Sequence, residues 1–159
     1  MQANAEALVN TVNTVGVMGK GIALQFKEAF HNNHKAYIDA CKRKELVPGK
    51  LLAVWDENLQ LGKKLIINFP TKVHWRQPSK YEYIEKGLVA LRELLQKEKI
   101  RSIAIPPLGC GNGGLDWSIV KPIIENALSG LDAEILIFEP NDAIKAVLQE
   151  QETNKDVHL

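Results

Sequence analysis

We predict an α/β protein in which strands and helices alternate in layers around a single sheet. Short apolar runs typical of buried strands recur along the chain, beginning with ALVNTV at residues 7–12. Segments with apolar residues at three-four spacing, as in amphipathic helices, separate these runs. Two glycine-rich stretches each stand between a predicted strand and a predicted helix. The length of 159 residues suits one domain with a sizeable core.

The first half of the chain predicts three strands and two helices. After the first strand, apolar residues at helical spacing predict a helix beginning near Ile22. A second helix is predicted over residues 35–44, where a proline and a glycine follow soon afterwards. Residues 51–55 and 65–69 are predicted to be strands, and Gly62 marks the turn between them.

The second half repeats the alternation. Ser79 and Glu82 match a capping box, in which each side chain bonds an amide at the start of a helix. A strand at residues 102–105 follows, and Asp116 is placed to cap the next helix. The last strand is predicted at residues 134–138. The helix that begins at the capping box has its apolar positions at Tyr81, Ile84, Leu88, Leu91 and Leu95.

The C-terminal boundary is predicted from composition. Asn141 could cap a final helix, and the residues from 152 onwards lose the apolar pattern. We therefore predict one domain over residues 1–151 and a tail over residues 152–159.

Composition excludes several classes of protein. The net charge of +1 argues against a protein that coats a polyanion, although it allows a local basic patch. No stretch is apolar enough to span a membrane and no secretory signal is visible, so a cytoplasmic protein is expected. Cys41 and Cys110 are far apart, which is typical of reduced thiols. His31 and His34 lack further ligands at metal spacing, so neither a metal nor a cofactor is predicted.

The glycine-rich stretches indicate either tight turns or a bed for an anion. Loops between a strand and a helix lie at the carboxyl edge of an α/β sheet, where ligands bind. Free amides and the helix dipole favour negative charge there. The first stretch is not a nucleoside triphosphatase loop, because Ile22 and Ala23 stand where lysine and a hydroxyl residue are required. Asn10 and Asn13, around the end of the first strand, could bind ribose hydroxyls or could cap turns.

Three stretches resemble the macrodomain family: ALVNTVNTVGVMGKGIALQFKEAF, NFPTKVHWRQPSKYEYIEKGL and IPPLGCGNGGLDW. They are most similar to the branch that contains the DarG-like DNA ADP-ribosyl glycohydrolases, the antitoxins of DarT/DarG systems, and the terminal ADP-ribose protein glycohydrolase. The resemblance implies a three-layer α/β/α fold with a mixed central sheet. Macrodomains usually open with a strand that has no counterpart here, so the family's first strand is expected to be missing.

The resemblance also implies roles for individual residues. Lys72, in FPTKVHW, occupies the position of the branch's functional lysine, and could act as a nucleophile or as a charged stabiliser of the leaving group. Gly113 stands where the protein-directed relative has an aspartate, which favours a DNA-directed enzyme. The residues expected to bind ADP-ribose are Asn10, Asn13, Gly19, Lys20, Gly21, Ile22, Thr71, Leu108, Gly109, Cys110, Gly111, Asn112, Gly113, Gly114, Leu115 and Pro140.

A basic segment near Lys72 suggests contact with nucleic acid. Residues 58–81 contain no Asp or Glu, and His74, Trp75 and Arg76 lie in the middle of this segment. Cations can bind phosphates while an indole stacks on a base of single-stranded DNA. Alternatively, Trp75 packs in the core and the lysines form a solvated face.

The expected function is therefore removal of ADP-ribose from thymidine bases in single-stranded DNA, with a DNA ADP-ribosyltransferase toxin as partner. The alternatives are a hydrolase of ADP-ribosylated protein side chains and a module that binds ADP-ribose without cleaving it.

Overall fold

The computed structural model describes residues 4–19 and 21–140. Five strands form a mixed sheet in the order β2-β3-β1-β4-β5. The strands β1, β3, β4 and β5 are parallel, and β2 pairs antiparallel with β3. Their bounds are β1 Ala7–Val12, β2 Leu52–Asn58, β3 Gly62–Pro70, β4 Ser102–Ile105 and β5 Glu134–Ile137.

Two pairs of helices cover the two faces of the sheet, which confirms the predicted three-layer fold. On β1, Leu8 packs with the helix residue Phe26 on one face, and its neighbour Val9 packs with Leu88 and Val120 on the other. This alternation follows from the two-residue period of a strand. The helices are α1 Gly21–Ala29 and α2 His31–Lys42 on the first face, and α3 Tyr81–Lys97 and α4 Trp117–Ala127 on the second.

The predicted elements are confirmed in type, with some changes of boundary. Helix α2 begins at His31, four residues before the predicted start, and the strands β2 and β3 are longer than predicted. The Asp116 cap is confirmed, because its carboxylate accepts a bond from the Ser118 amide at 2.9 Å. Asn141 and the 151/152 boundary lie outside the described residues.

The predicted capping box at the start of α3 is wrong. The N-cap residue is Lys80, and no side chain bonds the first amides of the helix. Ser79 lies instead against the loop that contains Gly113, because its amide donates to the Gly113 carbonyl at 2.9 Å. The residue chosen as a helix cap is therefore part of a contact between two loops.

The described residues bear on two further expectations. The first concerns the family's opening strand: residues 4–6 form no strand before β1. Within residues 4–19 and 21–140 the sheet therefore has five strands, and β5 is at one edge. Over residues 4–19 and 21–140, no helix is long and apolar enough to cross a membrane.

A buried network of amides connects the sheet to α2. Asn10 on β1 and Asn68 on β3 are register partners, and the Asn10 amide donates to the Asn68 oxygen at 3.2 Å. Asn68 and Asn33 exchange hydrogen bonds of 2.8 and 3.2 Å. The Asn33 backbone amide donates to Asp56 on β2 at 2.8 Å. All four residues are at most 5% exposed, so these bonds replace those that water would make.

A single close contact sets the distance between α3 and the sheet. Gly87 lies against the ring of Phe69, and a Cβ atom at position 87 would come within 2.2 Å of that ring. Both residues belong to the main core cluster or touch it, together with Ile84 and Leu88. The helix can approach the strand this closely only because the residue has no side chain.

We expect Gly87→Ala to destabilise the fold. The overpacking against Phe69 costs about 1–3 kcal/mol or more, which exceeds the helix preference of alanine over glycine, about 1 kcal/mol. Urea unfolding measures the difference. Val89→Ala on the exposed side of the same helix is the control and should change stability by no more than about 0.5 kcal/mol. A Gly87→Ala protein as stable as the parent would show that this contact does not limit the packing.

Candidate active site

Three loops meet at the carboxyl edge of the sheet because β3, β1 and β4 are parallel neighbours. We call residues 13–19, after β1, the first glycine loop. Residues 71–80, after β3, are the connecting segment, and residues 106–116, after β4, are the second glycine loop. Strand β1 lies between the other two, so the first loop is flanked by both of its neighbours. This edge is where open α/β sheets bind ligands.

Asn13 organises the first glycine loop. Its side-chain oxygen accepts the amides of Val15, Gly16 and Val17 at 3.1 to 3.2 Å, and its side-chain amide donates to the Val17 carbonyl at 2.7 Å. The residue is 7% exposed. These bonds fix the shape of the loop, and they leave one amide hydrogen of the side chain as the group that could reach a ribose.

Tyr37 on α2 holds Asn13 in place through hydrogen bonds from its hydroxyl. Its hydroxyl donates to the backbone carbonyl of Asn13 at 2.8 Å and to the side-chain oxygen at 2.9 Å. Burial raises the pKa of Tyr37 well above its usual range, so the hydroxyl stays neutral. Tyr37 is not among the site residues predicted from the sequence. The available signal was a tyrosine on the apolar face of a helix, because a buried tyrosine hydroxyl needs a partner.

The second glycine loop is shaped by glycines with positive φ. Gly109, Gly111 and Gly114 have φ values of 73°, 76° and 79°, which favour glycine over other residues. At Gly109 a side chain would also collide with Leu115, since a Cβ atom would lie 2.6 Å from its Cδ1. Residues 111–113 form a short 3-10 helix whose first amides have no partner within the helix. Gly111, Asn112 and Gly114 are exposed, so their backbone is accessible to a ligand.

The connecting segment joins the two glycine loops. At one end the Thr14 amide and hydroxyl of the first loop each donate to the Val73 carbonyl at 3.0 Å. At the other end the Ser79 amide donates to the Gly113 carbonyl of the second loop. Sheet pairing extends into the same region through the Thr71 amide, which donates to Val12 at 2.9 Å.

Lys72 lies at the junction of these loops. Its Nζ donates to the Asn112 carbonyl at 3.0 Å and to the Trp75 carbonyl at 3.4 Å. The side chain is half-buried, and its amine is therefore held over the second glycine loop. Carbonyl oxygens are acceptors, so these contacts stabilise the charged ammonium.

His74, Trp75 and Arg76 form an exposed cluster beside Lys72. The Arg76 guanidinium lies 4.5 Å from the centre of the Trp75 ring, and the His74 ring is stacked at 5.6 Å. The indole is 39% exposed, so it is not part of the core. His74 Nδ1 also accepts the Arg76 amide at 3.1 Å, which holds the cluster together.

The remaining predicted residues divide by accessibility. Gly19, Gly21 and Ile22 lie at or beside the start of α1, and Pro140 is exposed after β5. Thr71 and Leu108 are buried, and Leu115 packs against the core. Asn10 has no exposed surface and belongs to the amide network, so this arrangement does not bring it to a ligand. Lys20 lies outside the described residues.

Neither Cys110 nor Asp116 has the environment of a catalytic group. Burial, with Asp116 nearby, raises the pKa of the Cys110 thiol, which disfavours the thiolate. Hydrogen bonds from the Ser118 hydroxyl and amide lower the pKa of Asp116, so this carboxylate remains an ionised helix cap. In the described part of the chain, no three His, Cys, Asp or Glu side chains are grouped so that they could hold a metal ion.

The chain is similar in sequence and in fold to proteins of one known family. The sequence model of the Macro domain matches residues 9–124. The chain belongs to the Macro domain family. Among solved structures, the macrodomain of Mycobacterium tuberculosis DarG superposes with a TM-score of 0.81 at 52% identity, over 86% of this chain and 90% of that one. The three-layer fold expected from the resemblance is therefore the macrodomain fold.

Some of the proteins that this chain resembles are longer than the matching domain. A DNA ADP-ribosyl glycohydrolase of Thermus aquaticus is 52% identical over 147 residues, which are 92% of this chain and 41% of the relative. The structure of Thermosipho africanus DarTG in complex with ADP-ribose matches with a TM-score of 0.78 at 38% identity, over 91% of this chain and 43% of that one. This macrodomain thus spans about two fifths of the length of the DNA ADP-ribosyl glycohydrolases that it matches at 50 to 52% identity.

We expect Tyr37→Phe to loosen the first glycine loop of this macrodomain. Removal of the hydroxyl takes a donor from the backbone carbonyl of Asn13 and from its side-chain oxygen, which keeps the three loop amides, and this costs about 1–3 kcal/mol. Hydrogen exchange at the amides of Val15, Gly16 and Val17 should accelerate. Tyr83→Phe on α3 is the matched control, because this tyrosine lies on the other face of the sheet. Unchanged exchange at these three amides would contradict the assigned role of Tyr37.

Proposed function

We propose that this macrodomain hydrolyses the glycosidic bond between ADP-ribose and a thymidine base in single-stranded DNA. The observation that carries the proposal is the position of the Lys72 amine, 3.0 Å from the Asn112 carbonyl at the junction of the loops. The names of the relatives support the choice of substrate, since those at 50 to 52% identity are DNA ADP-ribosyl glycohydrolases.

The two glycine loops are suited to a diphosphate. Both expose backbone at the carboxyl edge of the sheet, and the first leads directly into α1 at Gly21. The N-terminus of a helix and glycine amides attract anions, and small residues let the phosphates approach the backbone. A diphosphate between the loops would place the distal ribose towards Lys72, which holds the second loop at its exposed end.

Lys72 acts as a charged group in the proposed reaction. In this role the amine is protonated and donates to the carbonyls of Asn112 and Trp75, whereas nucleophilic attack would require the neutral amine. As the bond from the anomeric carbon to the base nitrogen breaks, electron density moves to the base. The ammonium can stabilise the departing base or protonate it, while the oxygen of a water molecule bonds to the anomeric carbon. The water gives up one proton, which goes to the base directly or replaces the proton that Lys72 donated, so that the products are ADP-ribose and the unmodified base.

We expect Lys72→Ala to lower the rate of ADP-ribose release from a modified thymidine oligonucleotide by about 100-fold or more. Binding of free ADP-ribose should change far less, because the loops bind the diphosphate through their backbone. Lys97→Ala, a change at an exposed lysine in the last turn of α3, is the control and should keep the parent rate. A Lys72→Ala protein that turns over at the parent rate would falsify the assigned chemistry.

Two other functions can be separated by substrate. A protein-directed hydrolase would release ADP-ribose from modified protein, and Gly113 argues against it because that position lacks the carboxylate of the protein-directed relative. A binding module would bind ADP-ribose and release none from either substrate. Parallel incubation with modified oligonucleotide and modified protein distinguishes the three, and release from protein alone would overturn the DNA-directed proposal.

The His74, Trp75 and Arg76 cluster is the proposed contact with DNA. A base that stacks on the exposed indole would replace the Arg76 guanidinium, which is then free to bind a phosphate. The Trp75 carbonyl accepts a bond from Lys72, so a strand bound at this cluster passes close to the amine. The cluster therefore links DNA binding to the position of the catalytic lysine.

We expect Trp75→Ala to weaken binding of single-stranded oligonucleotide by ~1–3 kcal/mol, the worth of one stacked base. Free ADP-ribose should bind as before. Trp55→Ala is the matched control, because Trp55 is 44% exposed and also lies near a cation, with Lys63 Nζ 5.3 Å from its ring centre. Equal losses of DNA affinity in both variants would argue against a specific role for Trp75.

The proposed biological role follows from the relatives. A fusion of DNA ADP-ribosyl transferase and DNA ADP-ribosyl glycohydrolase in Thermosipho africanus is 41% identical to this chain, over 85% of it and 38% of the fusion. We infer that the partner here is likewise a DNA ADP-ribosyltransferase toxin, which this macrodomain opposes as an antitoxin. Its site of action would be the cytoplasm, where the modified DNA lies.

A further inference from the structure

Gly113 differs from the other glycines of the second glycine loop. Gly109, Gly111 and Gly114 have positive φ, whereas Gly113 does not. The backbone at position 113 would therefore accept any residue. It is also the buried member of the exposed turn formed by residues 111–114. The absence of a side chain at Gly113 needs an explanation other than its conformation.

The explanation lies in the connecting segment. A Cβ atom at position 113 would come within 2.6 Å of Ser79 Oγ and 3.1 Å of Ser79 Cβ. The same atom would be 3.9 Å from Lys72 Cε. The amide of Ser79 donates to the Gly113 carbonyl at 2.9 Å and the residue is 5% exposed, so its Cβ atom is held in place, while Oγ can move only by rotation about χ1. Ser79, Gly113 and the end of the Lys72 side chain thus meet at one point.

The Ser79 hydroxyl occupies buried space beside Gly113. Its oxygen is buried and has no hydrogen-bond partner among the described residues. A buried hydroxyl without a partner does not stabilise the fold through hydrogen bonding. The hydroxyl oxygen is therefore relevant here through the space it occupies, 2.6 Å from where a Cβ atom at position 113 would lie.

We propose that the contact between Ser79 and Gly113 sets the distance from Lys72 to the second glycine loop. This inference rests on the proposed function, in which Lys72 serves the reaction. Ser79 is then a positioning residue, which acts through the loop that holds the amine and does not touch the substrate. Any side chain at position 113 pushes the connecting segment outwards and lengthens the bond from Lys72 Nζ to the Asn112 carbonyl.

The test is a pair of compensating substitutions. Gly113→Ala should lower kcat on the modified oligonucleotide about tenfold or more, since small displacements of a catalytic group have large effects on rate. KM and the affinity for free ADP-ribose should change less. Adding Ser79→Gly removes both clashing atoms and should restore most of the lost kcat. Adding Ser79→Ala removes only the oxygen and should restore part of it.

The control for this rescue is Gly111→Ala. A Cβ atom there has nothing within 4 Å, so this change strains the backbone through its φ of 76° without a clash. Ser79→Gly should not rescue it. Thermal unfolding of the same variants measures the coupling between positions 79 and 113 independently of turnover.

Several outcomes would overturn the proposal. One is a Gly113→Ala protein with the parent kcat. Another is a pair of double variants that are no more active than Gly113→Ala. Additive shifts of the unfolding midpoint at positions 79 and 113 would also reject the contact, whether or not the parent is active. Absence of turnover in the parent protein is a separate result, because it contradicts the proposed function.

Discussion

The candidate site depends on the docking of the connecting segment against both glycine loops. The segment is bound to the first loop through the Val73 carbonyl and to the second through Ser79 and Lys72. Parallel strands place the starts of these loops side by side but do not determine their further course. Hydrogen bonds between the loops determine that course, and they join the three loops into one candidate site. The chemistry at Lys72 is therefore only as well placed as these few bonds allow.

In the proposed function, the three loops use different groups for binding and for reaction. Backbone amides and glycines are suited to phosphate, because they present partial positive charge and no bulk. A single amine, held by two carbonyls, is suited to the moment when charge develops on the departing base. This division explains why the glycine loops alone indicate an anion and leave its identity open. The proposal of a DNA adduct comes from the relatives of this chain, and Lys72 and the exposed cluster at residues 74–76 are the groups proposed to act on it.

Much of the fold was predictable, because strand and helix periodicity is a local property. The predicted strand at residues 7–12 is β1, and Asp116 caps α4 as expected. The errors concern residues whose partners are distant in sequence. Ser79 matched a local capping pattern but bonds to Gly113. Asn10, predicted to bind ADP-ribose, is buried against Asn68, and its role in binding stays a prediction. Tyr37 on the apolar face of α2 indicated only that a buried hydroxyl needs a partner, since the partner, Asn13, is known only once α2 has packed against the first glycine loop. Sequence patterns thus predict elements better than contacts between them.

The buried amide network has a consequence for how the chain reaches this fold. Parallel strands form from distant segments, so their pairing is slow and open to error. A shift of β3 by one residue along β1 would turn Asn68 towards the apolar layer of α3, where Leu88 and Leu91 offer it no hydrogen bond. Asn10 and Asn33 would lose their shared partner at the same time. A sheet with β3 shifted along β1 is therefore less stable than the native sheet, because its buried amides lack hydrogen bonds. The asparagines thus favour the native register of the parallel strands.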